Sequence, residues 1–343
     1  MTSPDFMSQL PLVLIDAFPR SKEMIFTKET EQQLYSQVRT IEHYGSRMPD
    51  AMVDEHLEEA SIIVGQTPMG AARLNRAKKL KAIINVKGNW ESNIDYQEAQ
   101  RLGIHVLSIA PVMAPAVAEM CVGMAISLGR GIVKNDLLFR SSQERYGIAG
   151  NADAISLYNA KVGFVGYGNL GRALAPLLAP YGCDIRIYDP WLSKGYLAQQ
   201  GYQAASLDEV LQQSQYLFLL AGVNQENDGF LSRELLKTVR KDACVVLASR
   251  AEIVDFEAFL DAAEAGNFRA AIDVYPQEPV DPSSPMRNRR SIIFSSHLAG
   301  GMRDSYQRIA NSLADEIPQL LRELPPLLLQ RAEPRLAAMQ TSR

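Results

Sequence analysis

Cysteine is scarce in this chain: Cys121, Cys183 and Cys244 are the three in 343 residues. They are far apart and odd in number, which excludes a disulfide framework and suits buried thiols in a reducing compartment. The four histidines, His43, His56, His105 and His297, are dispersed. No CxxC or HExxH spacing occurs among these residues, so no metal site is expected. There is no basic stripe either. Lys and Arg total 35 against 39 Asp and Glu, a formal net charge of −4, and their scatter along the chain excludes neutralisation of a phosphate backbone. Nucleic acid is not an expected partner. The N-terminus has no basic stretch leading into an apolar core and a small-residue cleavage site, and no apolar run approaches the ~18 residues of a membrane span. The expectation is a cytoplasmic protein with no membrane partner.

What is present is the balance of an ordinary globular chain, 47% hydrophobic and 22% charged residues. The length exceeds that at which single cores stop growing, so two domains are expected. Short β-branched apolar runs alternate with longer segments of helical period, which argues for parallel strands joined by crossover helices, an α/β class. Strands are expected at residues 12–15, 61–64, 82–86 and 105–109, with a helix over about 29–38. A long helix should begin near Pro115, which suits a first helical turn. It carries Val117, Met120, Cys121, Met124 and Leu128 on one stripe and runs past Gly131 towards Arg140 as a connector. From Lys161 the alternation restarts, with strands expected at 162–165, 185–188, 216–220, 244–247, 271–274 and 292–295. Six strands with intervening helices suit a doubly wound sheet. The segment after about Pro325, rich in Leu, Pro and Arg without a clear period, reads as a loosely packed or arm-like end.

Gly166-Tyr167-Gly168-Asn169-Leu170-Gly171 is a GxGxxG, and its setting is what makes it informative. An apolar strand precedes it, and the following segment carries Leu170, Ala173, Leu174, Leu177 and Leu178 on one helical stripe. The glycines then serve a tight turn, close approach of a pyrophosphate and helix-on-strand packing, with the diphosphate at the helix N-terminus. The next strand ends in Asp189, where a carboxylate can accept from ribose hydroxyls and would repel a 2′-phosphate. NAD is therefore expected over NADP; the plainer reading is that Asp189 caps a turn with Pro190. Pro176, inside the expected helix, should kink it or bring on an early 3₁₀ turn.

Three further segments follow in order. Arg250-Ala251-Glu252-Ile253-Val254-Asp255 matches an Arg-Gly-x-x-Val-Asp pattern, Asp273-Val274-Tyr275-Pro276-Gln277-Glu278-Pro279 a DVFxxEP, and Ser296-His297-Leu298-Ala299-Gly300 a PHIAG. With the glycine loop in the second half of the chain, the sequence resembles the D-2-hydroxyacid dehydrogenase family, which includes D-3-phosphoglycerate, formate and phosphite dehydrogenases. The resemblance implies a doubly wound Rossmann cofactor domain, residues 114–303, inserted in a smaller flavodoxin-like α/β substrate domain made of 1–113 and 304–343. It also implies chemistry in the cleft between them, NAD as cofactor, and a homodimer joined through the cofactor domain. Arg250, Glu278 and His297 are implied as catalytic: His297 as proton donor and acceptor, Glu278 as the carboxylate beside it that favours the imidazolium, and Arg250 as the fork for a substrate carboxylate. The cofactor walls implied are Ala221 and Gly222, in a loop at 221–231 that matches the family's LPLTPETRGLI only in part, together with Ser249, Asp273, Ala299 and Gly300.

The family's substrate loop, GVGVDNID, appears as Gly88-Asn89-Trp90-Glu91-Ser92-Asn93-Ile94-Asp95, so Lys87, Gly88, Asn89 and Trp90 are expected to hold a small anionic substrate. Trp90 stands where a glycine is usual. Its indole either lines the substrate pocket or turns outward against the partner domain. Lys87 resembles the Lys-Gly pair of phosphite dehydrogenases, which admits a phosphorus oxyanion as substrate; the plainer reading is a solvated lysine beside Lys79 and Lys81. A non-catalytic, NAD-responsive binding protein like the corepressors that share this fold is the alternative from another class.

Overall fold

The computed structural model describes residues 9–224 and 226–339. Gln225, within the expected cofactor loop, and residues 340–343 of the tail lie outside the described residues. The chain forms two compact units, one made of residues through Met113 together with those from Gly301 on, the other of Ala114–Gly300.

The first unit is built on β1 (Leu12–Asp16), β2 (Arg39–His43), β3 (Ala60–Gly65), β4 (Ala82–Asn85) and β5 (His105–Ser108), parallel and in the spatial order β2-β1-β3-β4-β5. That is the flavodoxin order, with its switch point between β1 and β3. Val13 and Ile15 enter a core on one face of the sheet, Leu12 and Leu14 a core on the other. A strand covered on both faces reads as a continuous apolar run, which is why these strands were visible in the sequence. β2 was not expected. All five of its residues are half-buried, and an edge strand with one neighbour carries no such run.

The second unit holds β6 (Lys161–Val165), β7 (Asp184–Tyr188), β8 (Gln203–Ala204), β9 (Tyr216–Leu219), β10 (Cys244–Leu247), β11 (Arg269–Ile272) and β12 (Ile292–Phe294). All are parallel, in the order β12-β11-β10-β9-β6-β7-β8. This is a doubly wound Rossmann sheet, its order reversing between β6 and β9. Phe164, Phe218 and Val246 face one core, Val165, Leu219 and Leu247 the other. The thiols of Cys121 and Cys244 lie buried there, and burial pushes them up to about 12 and about 11. Cys183 is only partly buried, its Sγ donating to the Leu157 carbonyl at 3.3 Å.

Three expectations about helices and the tail need correction. The connector starts at Ala110, not Pro115, and ends at Arg130. Gly131, at φ +62°, breaks it from a second helix, Ile132–Arg140, because a left-handed residue cannot continue the helical ladder. Ala110–Arg130 is long and apolar enough to cross a membrane by length and composition alone. Its Ala118, Cys121, Met124, Ala125 and Leu128 pack instead into the core of the second unit. The tail, finally, is docked. The buried carboxylate of Glu316, in helix Arg303–Leu321, accepts from the backbone N–H groups of Leu327, Leu328 and Leu329 at 2.5 to 3.0 Å. β13 (Gln330–Arg331) then pairs antiparallel with β5. Pro176 lies inside helix Asn169–Leu178, which gives way at once to a 3₁₀ turn, Ala179–Tyr181.

Candidate active site

In a doubly wound sheet, ligands bind beyond the carboxyl ends of the strands at the switch point. The glycine loop leaves β6 at that place. Gly166 sits at φ +94°, and a Cβ there would lie 2.7 Å from the Ala221 Cα, so this position demands glycine on two counts. Around Gly168 a Cβ would meet nothing within 4 Å. Gly168, at the N-cap of helix Asn169–Leu178, has no side chain with which to cap it. Leu170 turns its side chain towards the core, and its contribution to a ligand would come from the backbone. The second unit thus fits a dinucleotide diphosphate by backbone and helix dipole.

Asp189 closes β7. Its Oδ2 accepts from the Tyr167 N–H at 2.8 Å and its Oδ1 from the Trp191 N–H at 2.9 Å. Asp189 therefore does cap its own turn, and it also ties that turn to the glycine loop. Each carboxylate oxygen keeps a second lone pair with which to accept from a ribose hydroxyl. Ser249 Oγ donates to the Leu219 carbonyl at 2.9 Å, which pins the end of β10 to that of β9. The Gly222 carbonyl accepts from Asn227 Nδ2 at 2.8 Å.

Beyond β10, Arg250 donates from Nη1 to the Ser249 carbonyl at 2.6 Å. Burial holds its guanidinium below the ordinary value, while the carboxylates of Glu252 and Glu278 pull the other way. Glu278 in turn reaches His297: Nδ1 and Oε2 are 2.6 Å apart. Its other oxygen, Oε1, accepts from the Tyr275 N–H at 3.0 Å. His297 is left-handed, at φ +54°, a conformation that costs an ordinary residue strain and persists only where its surroundings impose it. Asp273 imposes it. This buried carboxylate accepts from the N–H groups of Leu298 at 2.9 Å and Ala299 at 3.0 Å, which fixes the chain immediately after the histidine and carries on to Gly300. Asp273, expected on the cofactor, has these contacts to the His297 loop as its hydrogen bonds. With Nδ1 engaged by Glu278, the His297 side chain remains 47% exposed.

The expected substrate loop of the first unit is organised by a residue the sequence reading passed over. Asn85, fully buried at the end of β4, accepts at Oδ1 from the N–H groups of Lys87 at 2.8 Å and Gly88 at 3.3 Å, and donates from Nδ2 to the Asn89 carbonyl. Gln66 Nε2 also donates to Asn85 Oδ1, at 2.7 Å. Lys87 is exposed, and its Nζ pairs with Glu91 at 2.8 Å. Trp90 is half-buried and packs against the first unit's own core, edge-on to Tyr96 with ring centroids 6.2 Å apart. Asn85 and Tyr275 carry no functional signal of their own in the sequence, because such a polar residue declares its role only through its partners.

Comparison with known proteins adds the following. The family model for the NAD-binding domain of D-isomer specific 2-hydroxyacid dehydrogenases matches residues 122–299. A glyoxylate reductase of Korarchaeum cryptofilum is 25% identical over 269 residues, covering 77% of this chain and 80% of that protein. A D-3-phosphoglycerate dehydrogenase of Archaeoglobus fulgidus is 27% identical over 78% of this chain and 50% of its own length. Among solved structures, a phosphoglycerate oxidoreductase from Rhizobium etli superposes with a TM-score of 0.84 at 36% identity, covering 94% of this chain and 98% of that one. The match over more than half the chain, carrying the glycine loop, Asp189, Arg250, Glu278 and His297, places this protein in the D-isomer specific 2-hydroxyacid dehydrogenase family.

Proposed function

We propose that the protein interconverts a small 2-hydroxy acid and its 2-keto acid, with His297 as the group that moves the proton and Arg250 as the cation that grips the substrate carboxylate. NAD, when bound, carries the hydride. The observation that supports this most is the Glu278–His297 pair at 2.6 Å on a left-handed histidine. A carboxylate on Nδ1 fixes the tautomer and orientation of the ring, so that Nε2 is the atom that protonates the keto oxygen in reduction and takes the hydroxyl proton in oxidation. Arg250, desolvated and planar, offers paired donors to the substrate carboxylate and polarises the adjacent carbonyl. Asp273 and Tyr275 act as positioning residues, one holding the His297 loop, the other Glu278.

The substrates of the relatives point to glyoxylate and phosphoglycerate as the first acids to try. The setting we propose is cytoplasmic, as a homodimer joined through the second unit. Ile132, Val133, Leu137, Phe139, Tyr146 and Ile148 expose apolar surface there, of the kind a partner subunit covers. The test follows nicotinamide absorbance with glyoxylate, hydroxypyruvate and 3-phosphoglycerate. Turnover that disappears in H297A supports the reading. NADH binding with no turnover on any 2-keto or 2-hydroxy acid favours a binding role instead.

A further inference from the structure

Trp191 is hard to account for by folding alone. Its side chain belongs to the exposed large hydrophobics, at 56%, and no ring contact is formed by it among the described residues. An exposed tryptophan on a loose loop would be unremarkable, but this one is held on both sides. Its own N–H donates to Asp189 Oδ1 at 2.9 Å. Pro190, before it, has its φ fixed by the ring. Leu192, after it, packs against the core of the second unit. Ser193 caps the helix Lys194–Gln199 by accepting from the Tyr196 N–H. The turn is therefore rigid, and it displays an indole to the outside.

The place of that display is informative. Asp189 is the carboxylate suited to the adenosine ribose, and the adenine is attached to that same ribose. Trp191 follows Asp189 by two residues, and its backbone N–H is held by the Asp189 carboxylate. The neighbouring ring on β7 is already engaged: Tyr188 stacks on Phe230, 6.1 Å apart and within 6° of parallel. The indole is the aromatic face beside Asp189 with no ring partner among the described residues. We infer that Trp191 is the adenine-binding surface of the cofactor site, stacking on the base while Asp189 holds the ribose, one hydrogen bond linking the two. Base-on-aromatic stacking needs no base-edge donor or acceptor and tolerates a solvent-exposed site. An exposed indole that a second copy of the chain covers is the competing occupant.

The chain has two tryptophans, and Trp90 lies in the first unit against Tyr96, so fluorescence can isolate the residue. In W90F, titration with AMP, which has the adenosine half alone, should quench the emission of Trp191 and saturate. W191A should bind AMP and NADH about tenfold more weakly by calorimetry, with W191F recovering most of the loss. In turnover the change should appear in KM for NADH rather than in kcat. AMP that leaves the emission of W90F unchanged, or W191A that binds NADH and AMP within about twofold of the parent protein, overturns the inference. So does a W191A whose defect is dissociation into monomers at unchanged AMP affinity, which would make the indole an interface residue.

Discussion

The carboxyl edges of the two sheets treat buried polar groups differently. On the second sheet, Asp189 and Asp273 each engage the backbone of a neighbouring loop and Ser249 the end of β9, and both loops so held carry part of the motif set. On the first sheet, Asp16 and Asn85 do similar work, Asp16 accepting from the Met48 N–H at 2.8 Å and from Thr67 Oγ1 at 2.9 Å. Yet Arg20, Tyr44, Gln66 and Asn93, all on loops that follow strands of that sheet, retain buried side-chain atoms with no protein partner, against Ser295 alone directly after a strand of the second sheet among the described residues. Buried polar atoms are nearly always satisfied, so a concentration of exceptions needs a cause. On the proposed function, the second edge serves a constant dinucleotide and the first a particular small acid, and it is the first that keeps more donors and acceptors in reserve.

The sharpest way to break this comparison lies on the wired edge. H297A should lower kcat by about three orders of magnitude, the upper range for loss of a general acid–base group, while NADH still binds by fluorescence. Turnover within tenfold of the parent would remove the histidine from the chemistry. Next comes R250K, which keeps the charge but not the planar fork; kcat/KM should fall by about a hundredfold, and full activity would show that charge alone suffices. D273N replaces a charged double acceptor by an amide that can accept with only one oxygen. It should cost about 2 kcal/mol of stability in denaturant titration and, by loosening the His297 loop, roughly tenfold in kcat. A stable D273N with reduced turnover would separate positioning from folding. The smallest effect is expected on the first sheet. N85L releases the Lys87–Asn89 loop and should raise the substrate KM by about tenfold while the KM for NADH stays put; a matching rise in both would erase the proposed division of labour.

Much of this was legible in the sequence, for reasons that differ by element. The central strands of both sheets are covered on two faces and so announce themselves as apolar runs; β2, β8 and β13 sit at edges, are short or polar, and do not. The start of helix Ala110–Arg130 was misplaced because a proline compatible with a first turn also occurs at Pro115, inside the helix. The glycine loop and Asp189 were readable since their spacing is dictated by backbone geometry. Asn85 and Glu316 were not: each looks like any polar residue until three loop groups converge on it.

The split make-up of the first unit bears on the order in which the protein assembles. Helix Arg303–Leu321, which supplies Ile309, Ala310, Leu313, Ile317 and Leu320 to that unit's core, is synthesised only after the whole of Ala114–Gly300. During translation the second unit can finish folding while β1 to β5 still wait with one apolar face bare. That interval is when the nascent chain is most exposed to aggregation, and the Glu316 clasp on Leu327 to Leu329 marks the moment it ends.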